Sequence, residues 1–125
     1  MKITSVLYVD AIEPGLEFWV GRMGFEKTVE VPHEDKLGFV ILVKDGTELM
    51  LQSWASVAAD DPSFLGNPRG HSSVLFIEVD DFEDTKKRLA GTEVVVPERT
   101  TFYGMREIFV RAPGGHVVGF ATPTK

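Results

Sequence analysis

The stretch Val6-Leu7-Tyr8-Val9-Asp10 returns later in the chain as Phe76-Ile77-Glu78-Val79-Asp80, and these two stretches decide the fold. Val9 and Val79 are 70 residues apart, and the glycines that precede the last predicted strand of each copy, Gly46 and Gly115, are 69 apart. A spacing that persists across a whole module indicates an internal repeat. The chain is therefore predicted to contain two copies of one structural unit.

Each copy is predicted to begin with a strand and to continue into a helix. The first helix is indicated by apolar residues that recur on one helical face, namely Leu16, Trp19, Val20 and Met23. Pro14 suits the first turn of this helix, and Gly24 suits the position after its last turn. The second helix is shorter and more polar, with Asp81 as its predicted cap and Gly91 at its end.

Three strands are predicted after each helix: residues 25–31, 37–44 and 47–54 in the first copy, and residues 93–96, 102–111 and 116–122 in the second. The dipeptide Asp45-Gly46 favours a tight hairpin. The predicted fold class is α+β, with two tandem βαβββ modules in a single domain of residues 1–125. Module 1 covers about residues 1–54 and module 2 about residues 73–125, and a polar linker of residues 55–72 joins them.

The linker is rich in Asp, Gly and Pro, and it is longer than most loops in compact domains. One interpretation is a plain crossover between the modules. The other is a lid that carries Phe64 and Leu65 over a pocket. Both interpretations stay open at this point.

The composition excludes several classes of protein. With 125 residues, 43% of them hydrophobic and 26% charged, the chain can bury a core and is not disordered. A net charge of -6 disfavours nucleic acid as a partner, and no apolar stretch approaches the roughly 20 residues of a membrane span. The lack of cysteine excludes disulfides, thiol nucleophiles and zinc fingers. Because the opening residues do not read as a secretory signal, a cytoplasmic location is expected.

Several short motifs occur in the order that one known superfamily shows. They are Val9-Asp10, Phe18-Trp19, Met23-Gly24-Phe25, Tyr103-Gly104-Met105-Arg106-Glu107 and Ala112-Pro113-Gly114-Gly115-His116. Together with the duplicated module, they resemble the vicinal oxygen chelate superfamily, which includes the glyoxalases, the bleomycin resistance proteins and the extradiol dioxygenases. The closing segment is most similar to the bleomycin resistance branch. The resemblance implies half-barrel sheets around a cavity whose floor often holds a divalent metal.

The resemblance also implies four positions for metal ligands. A ligand that is usually His falls at Thr4 and Val74, and a ligand that is usually Glu falls at Met50 and Gly119. Hydroxyl and thioether groups bind hard divalent ions poorly, and the side chains of Val and Gly cannot bind them. The protein is therefore expected to use no metal and no other cofactor.

The three histidines offer an alternative metal site. His33 lies in a turn-like setting, His71 in the linker and His116 at the start of the last strand, and each is interpreted as a solvated or structural residue. The alternative is a displaced site that combines His71 or His116 with Glu48 or Glu78.

Strand alternation identifies the side chains that share a face with the four implied ligand positions. The ligand-binding residues predicted from this face and from nearby strand entrances are Tyr8, Met50, Gln52, Trp54, Phe76, Glu78, Phe102, Tyr103 and Arg106. A largely aromatic and apolar wall with a few polar groups is typical of a small-molecule pocket. Glu78 is expected to pair with a cationic ligand or with Arg106. The alternatives are core packing, edge packing, or a solvated Arg106-Glu107 pair, and no catalytic residue is assigned.

The leading functional interpretation is a metal-free small-molecule binding protein that sequesters a partly aromatic or cationic organic compound, as resistance proteins do. The alternative is a metal-dependent lyase, isomerase or dioxygenase that acts on a substrate with vicinal oxygens. A third interpretation is an interaction module without a ligand. The resemblance implies a homodimer, in which half-barrels of two chains complete each cavity. Nucleic acid and membranes are not expected as partners.

Overall fold

The computed structural model describes residues 2–62 and 73–124, which form two four-stranded sheets. The chain divides into two compact units, Met1–Arg69 and Gly70–Lys125, and each unit contains one sheet. Phe64 and Leu65 of the suggested lid, and also His71, lie outside the described residues. Within the described ranges, no helix has both the length and the apolar character needed to cross a membrane.

The first unit follows the predicted order of strand, helix and three strands. Its elements are β1 (Ser5–Val9), α1 (Glu13–Leu16) with a π-helical continuation (Glu17–Arg22), β2 (Glu26–His33), β3 (Lys36–Lys44), β4 (Thr47–Ser53) and α2 (Trp54–Asp60). The strands of this sheet, sheet 1, lie in the order β1-β4-β3-β2. β1 runs parallel to β4, and the other neighbouring strands are antiparallel.

The turn between β3 and β4 confirms the hairpin predicted from Asp45-Gly46. Both residues have a positive φ, of 52° and 76°, as a type I′ turn requires. The turn pairs Lys44 with Thr47 and thereby fixes the register of the two strands. Alternate residues of β4, beginning with Leu49, are then buried, while Met50 and its neighbours two positions away stay half-buried on the opposite face.

One face of sheet 1 is buried together with the first helix. The buried apolar side chains are Val9, Val40, Leu42, Leu49 and Leu51 in the sheet, and Ile12, Phe18, Trp19 and Met23 in the helical segment and its flanks. Gly15 permits close packing, because a Cβ atom there would lie 2.8 Å from Leu51 Cδ1. Burial of each large apolar side chain stabilises the fold by about 1.5–3 kcal/mol. The first helix does not cover the opposite face of the sheet.

The helical face predicted from Leu16, Trp19, Val20 and Met23 is partly wrong. Phe18 is buried beside Trp19, whereas Val20 is exposed. The helix widens after Leu16 into a π-helix, in which the Met23 N–H donates to the Phe18 carbonyl five residues earlier. The wider turn rotates the apolar face away from the position that regular α-helical spacing predicts.

A second helix stands where the end of a strand and the start of the linker were expected. α2 begins at Trp54 because Ser53 caps it, with the Ser53 hydroxyl accepting a hydrogen bond from the Ser56 N–H at 3.1 Å. Gly38 of β3 leaves room for this helix, since a Cβ atom there would lie 3.2 Å from Ser56 Cβ. The expected linker of residues 55–72 therefore begins as a helix.

The second unit repeats the topology of the first. Its elements are β5 (Val74–Glu78), α3 (Phe82–Arg88), β6 (Glu93–Thr100), β7 (Met105–Arg111) and β8 (Val117–Pro123), and sheet 2 has the order β5-β8-β7-β6. Tyr8 pairs with Gln52 in the first unit, and Glu78 pairs with Ala121 in the second. The repeat read from the sequence is thus preserved in the strand register, and the two tandem βαβββ modules are confirmed. β6 is longer than its predicted range of residues 93–96.

The strand predicted over residues 102–111 begins instead at Met105. A three-residue turn precedes it, in which the Gly104 N–H donates to the Thr101 carbonyl at 3.1 Å and the Thr101 N–H donates to the Met105 carbonyl at 2.8 Å. Gly104 has a φ of 83°, the left-handed conformation that this turn requires. Phe102-Tyr103 therefore lies on a turn and not on a strand.

The helix-bearing face of sheet 2 carries a cluster of paired charges. Arg106 Nη2 lies 2.7 Å from carboxylate oxygens of Glu83 and Glu98, and Lys86 Nζ lies 2.7 Å from Glu98. The pKa of Glu83 is lowered chiefly by its hydrogen bond from Arg106, and the pKa of Glu98 chiefly by its hydrogen bond from Lys86. The cluster therefore links α3 to β6 and β7 through ionised carboxylates.

This cluster predicts a pH dependence of folding. Because the folded-state pKa values of Glu83 and Glu98 lie below the unfolded value of about 4.3, their contribution is present above that pH and is lost as the pH falls through the folded values. The double variant Glu83→Gln/Glu98→Gln should lose less stability than the wild type between about pH 5 and pH 3. Urea unfolding followed by circular dichroism at several pH values measures how the free energy of unfolding of each protein changes with pH. An equal pH dependence for the variant and the wild type would contradict this role of the cluster.

Candidate functional site

The predicted ligand-binding residues divide between the two units. The first unit contains Tyr8, Met50, Gln52 and Trp54, and the second contains Phe76, Glu78, Phe102, Tyr103 and Arg106. We call the face of sheet 1 around Tyr8, which lies opposite the first helix, surface 1, and the corresponding face of sheet 2, around Phe76, surface 2.

Surface 1 brings its predicted residues together. The parallel pairing of β1 and β4 places Tyr8 beside Gln52, with Met50 two positions earlier on the same face. The rings of Tyr8 and Trp54 meet edge to face, with centroids 5.0 Å apart and an angle of 70° between the planes. Gln52 Nε2 donates to the Ser56 hydroxyl at 3.2 Å, which joins the strand to α2.

β3 adds apolar side chains to surface 1 that were not among the predicted residues. Phe39 pairs with Gln52, and Ile41 pairs with Met50. Side chains directly opposite each other on paired strands share a face, so both extend the surface. The polar groups among the side chains named on this surface are the Tyr8 phenol, the Gln52 amide, the Trp54 indole N–H and the Ser56 hydroxyl.

Thr4 is the position in the first unit where the resemblance implies a His ligand. Its hydroxyl instead donates to Glu48 Oε1 at 3.3 Å, and Lys2 Nζ lies 3.0 Å from the same oxygen. The Glu48 carboxylate is therefore paired with protein groups. With a thioether at Met50, this unit offers a poor set of donors for a divalent metal.

Surface 2 contains a row of aromatic side chains. The pairing of β5, β8 and β7 places Phe76, Gly119 and Phe109 side by side across the sheet. The ring centroids of Phe76 and Phe109 are 6.2 Å apart, and 51% of the Phe76 surface is exposed. Two neighbouring rings, one of them open to solvent, form a platform on which a flat molecule can stack.

Gly119 is the position in the second unit where the resemblance implies a Glu ligand. A Cβ atom built there would lie 2.4 Å from Phe109 Cε2, which is too close for any real contact. The Phe109 ring therefore occupies the space above the Gly119 backbone. Val74, the other implied position, has no donor atom. The residues at these two implied positions do not fit a divalent metal.

A second row of surface 2 carries charges. It consists of Glu78, Ala121, Glu107 and Arg99 on neighbouring strands. Glu107 is fully buried, and its Oε2 accepts a hydrogen bond from Arg99 Nε at 2.9 Å and forms an ion pair with Arg99 Nη2 at 2.7 Å. The Tyr103 hydroxyl lies 2.9 Å from both oxygens of the same carboxylate. The hydrogen bonding to Glu107 raises the pKa of Arg99.

Sequence reasoning missed Arg99, Glu107 and Phe109 as members of this surface. β6 contains an irregularity that shifts the register between Val96 and Arg99, so that Val96 pairs with Phe109 and Arg99 with Glu107. Simple alternation would place Val96 and Arg99 on opposite faces. Pro97, which lies between them, is the signal that could have found the irregularity, because proline within a strand marks an edge or a bulge.

The aromatic row does not include three of the predicted residues, namely Arg106, Glu78 and Phe102. The Arg106 guanidinium lies 4.8 Å from the centroid of the Phe82 ring, on the helix-bearing face of sheet 2, and it does not serve as the expected partner of Glu78. Glu78 is exposed on surface 2. Phe102 is 99% exposed on its turn, where its ring meets the Tyr103 ring edge to face at 5.2 Å.

The displaced metal site is likewise not formed by the residues that the structure describes. In residues 2–62 and 73–124, no three His, Asp or Glu side chains group closely enough to hold a metal ion. His33 lies at the turn between β2 and β3, with Nε2 3.8 Å from Glu34, and His116 is buried just before β8.

Similar solved structures cover nearly the whole chain. A glyoxalase/bleomycin resistance protein/dioxygenase from Nocardioides has a TM-score of 0.75 and 19% identity, over 100% of this chain and 85% of that one. A lactoylglutathione lyase from Agrobacterium tumefaciens has a TM-score of 0.74 and 17% identity, over 98% and 92%. An antibiotic binding protein from Streptomyces sp. CB03234 has a TM-score of 0.67 and 23% identity, over 98% and 97%. At these identities the likeness shows the fold alone.

The sequence itself shows the family. No curated protein matches the chain significantly. Residues 3–120, however, match the profile of the Glyoxalase/Bleomycin resistance protein/Dioxygenase superfamily. Since this match covers nearly the full length and agrees with the two tandem modules of the fold, the protein belongs to the glyoxalase/bleomycin resistance protein/dioxygenase superfamily.

Proposed function

We propose that the protein binds a small, flat, partly aromatic organic compound without the help of a metal. The observation that carries this proposal is the aromatic platform of surface 2, where the Phe109 ring covers Gly119 beside an exposed Phe76. An aromatic ring thus occupies the place where the superfamily implies a metal ligand. A flat guest can stack on the platform and cover apolar surface that would otherwise face water.

Surface 1 supports the same function. Its Tyr8 and Trp54 rings are held edge to face, and the Gln52 amide beside them supplies hydrogen-bonding groups. Small-molecule sites characteristically combine apolar and aromatic walls with a few fixed polar groups. The two surfaces are alternative places for a guest within the same proposal.

Charge defines the polar part of the proposed guest. Glu78 is exposed two residues after Phe76 on the same face of β5, so a cationic group on a stacked guest can meet its carboxylate. The net charge of -6 favours a cationic guest as well. The compound is therefore partly aromatic or cationic, and its sequestration, as in the bleomycin resistance branch, is the proposed activity.

Noncovalent binding accounts for the groups on these surfaces better than catalysis does. Glu107 is a buried carboxylate of the kind that enzymes use as a base, but Arg99 and Tyr103 already bond both of its oxygens. Of the four implied metal-ligand positions, two carry side chains without any donor atom. The fold itself does not distinguish binding from catalysis, because an antibiotic binding protein and a lactoylglutathione lyase share it.

Truncation of the aromatic side chains should weaken binding. Phe76→Ala and Trp54→Ala each remove one ring, and the affinity of a planar compound stacked on that ring should fall about 2- to 10-fold, because an aromatic pair contributes about 0.5–1.5 kcal/mol. Isothermal titration calorimetry with a panel of planar aromatic compounds measures the affinities. Val94→Ala is the matched control, since Val94 is exposed but pairs with the buried Val110 on the opposite face of sheet 2. Unchanged affinity in both Phe76→Ala and Trp54→Ala would contradict the proposal that these surfaces bind the compound.

Metal ions should leave the stability of the protein unchanged. Chelator-stripped protein is expected to unfold at the same temperature with and without excess Mn, Fe(II), Co, Ni or Zn. Saturation of a specific site at about 100 times its dissociation constant would add roughly 2.7 kcal/mol, a visible shift in thermal unfolding. A rise that is selective for one metal would contradict the proposal and favour the lyase, isomerase or dioxygenase alternative.

The homodimer implied by the resemblance is retained as part of the proposal, together with a cytoplasmic location and the lack of nucleic acid or membrane partners. Closed pairs with two-fold symmetry are the commonest oligomers of soluble proteins. Light scattering at micromolar concentration is expected to give twice the mass of one chain. The mass of a single chain under these conditions would count against the dimer.

A further inference from the structure

Arg99 is a fixed and partly exposed cation on surface 2. One edge of its guanidinium, formed by Nε and Nη2, is bonded to Glu107, yet 53% of the side chain is exposed. Because the guanidinium is planar with donors on all three nitrogens, its other edge, formed by Nη1 and Nη2, points away from that carboxylate. The guanidinium carbon is 6.0 Å from the centroid of the Phe109 ring. The outer edge of the guanidinium thus stands beside the aromatic platform, and the Tyr103 hydroxyl is a neighbour that also hydrogen-bonds the guanidinium.

Glu107 holds Arg99 in this position. Its carboxylate is fully buried, and the Tyr103 hydroxyl bonds it from the turn that precedes β7. Since both oxygens are engaged, Glu107 is a positioning residue for Arg99 and not a contact for a guest.

The fold does not need an ion pair at this place. In the first module the position equivalent to Glu107 holds Phe39, which pairs with Gln52 as Glu107 pairs with Ala121. Replacement of a buried ion pair by well-packed apolar residues is often neutral or stabilising. Packing of sheet 2 therefore gives no reason for a buried Glu107, whereas orientation of Arg99 does.

The other arginines of residues 73–124 are placed differently. Arg88 pairs with Asp84 along α3, and Arg106 lies on the helix-bearing face. Arg111 bonds Glu93 and the Gly115 carbonyl at the far end of β7. Among them, Arg99 is the arginine whose guanidinium stands next to a ring of surface 2.

We infer that the outer edge of Arg99 binds a planar oxyanion, such as a carboxylate, on an aromatic ligand whose ring lies on Phe76 and Phe109. This inference rests on the proposed function, whose guests are partly aromatic or cationic. It selects the aromatic guests and narrows them to aromatic acids, with Arg99 as the residue that determines specificity through a local charge that opposes the net charge of -6. Two parallel hydrogen bonds to a carboxylate match the guanidinium, and a neutral amide cannot reproduce them. A cationic group is repelled at this end of the row and is confined to the Glu78 end.

Three probes that share one ring system test the inference: 2-naphthoate, 2-naphthamide and 2-naphthylmethylammonium. Wild-type protein should bind the naphthoate most tightly in calorimetric titrations. Arg99→Gln should weaken naphthoate binding about 10-fold or more and change naphthamide binding less than about 2-fold, because the variant removes only charged hydrogen bonds. The naphthoate affinity of Arg99→Lys should fall between those of the wild type and Arg99→Gln, since lysine keeps the charge but lacks the planar pair of donors.

Arg88→Gln is the matched control. Arg88 also donates from Nε to a carboxylate at 2.9 Å, and its replacement removes the same charge from α3 instead of from surface 2. Its affinities for all three probes should equal those of the wild type. A thermal melt of each variant establishes whether it is folded. If Arg99→Gln does not fold, the naphthoate affinity of Arg99→Lys tests the inference in its place.

The outcomes separate failure of the inference from failure of the proposed function. Equal binding of naphthoate and naphthamide to the wild type, equal weakening of all three probes by Arg99→Gln, or full naphthoate affinity in Arg99→Lys would overturn the oxyanion site. The platform would still stand in those cases if Phe76→Ala weakens every probe. If no probe binds the wild type, or if neither Phe76→Ala nor Trp54→Ala weakens any of them, the proposed function fails and the inference fails with it. If Trp54→Ala weakens the probes and Phe76→Ala does not, the guest lies on surface 1, and the inference fails while the proposed function stands.

Discussion

The parallel pairing of the first and last strands of each module is the constraint on which the rest of the structure depends. Two parallel neighbours cannot be joined by a tight turn, so the chain leaves β1 or β5 through a helix and reaches the parallel partner only after two further strands. This helix covers one face of the sheet and leaves the other face to side chains of the strands and, in the first module, of α2. This pairing also sets Tyr8 beside Gln52 and Glu78 beside Ala121, which fixes the residues that the first and last strands of each module contribute to each surface.

Features of the fold with a local cause could be predicted from the sequence. The repeat depends on matched strands, and the Asp45-Gly46 turn depends on two residues that tolerate a positive φ. The π-helix could not be predicted, because the wider turn, in which Met23 bonds the carbonyl five residues earlier, changes which residues face the sheet and no residue pattern marks it. α2 was missed for a related reason. Its cap, Ser53, is also the last residue of a strand, so strand alternation hides the signal.

The candidate site was predicted only as far as the strands run without irregularity. Alternation along β4 and β5 placed Gln52 and Phe76 on the faces where the structure has them. Alternation does not hold across β6. The register shift before Arg99 brings Val96 and Arg99 to the same face, although residues an odd number of positions apart in a regular strand lie on opposite faces. Arg106 was predicted as a possible partner of Glu78, but its neighbour Glu107 is the residue on that face, because the face of β7 depends on its pairing with β8, which no local pattern reveals.

The two modules show how one backbone can carry different chemistry. Corresponding rows hold Tyr8, Gln52 and Phe39 in the first sheet, and Glu78, Ala121 and Glu107 in the second. Main-chain hydrogen bonds set the pairing, so the side chains of a row can change without a change of fold.

Gly119, at the implied metal-ligand position of the second module, is a further case of different chemistry on the same backbone. A side chain there would collide with Phe109, and a ring at Phe109 is what gives Phe76 its neighbour on surface 2. The lack of a ligand side chain at Gly119 and the aromatic platform are therefore one structural feature, because the space that a metal-binding carboxylate would need is the space in which the ring lies. A carboxylate could return to this position only if the ring moved, and the platform would then be lost.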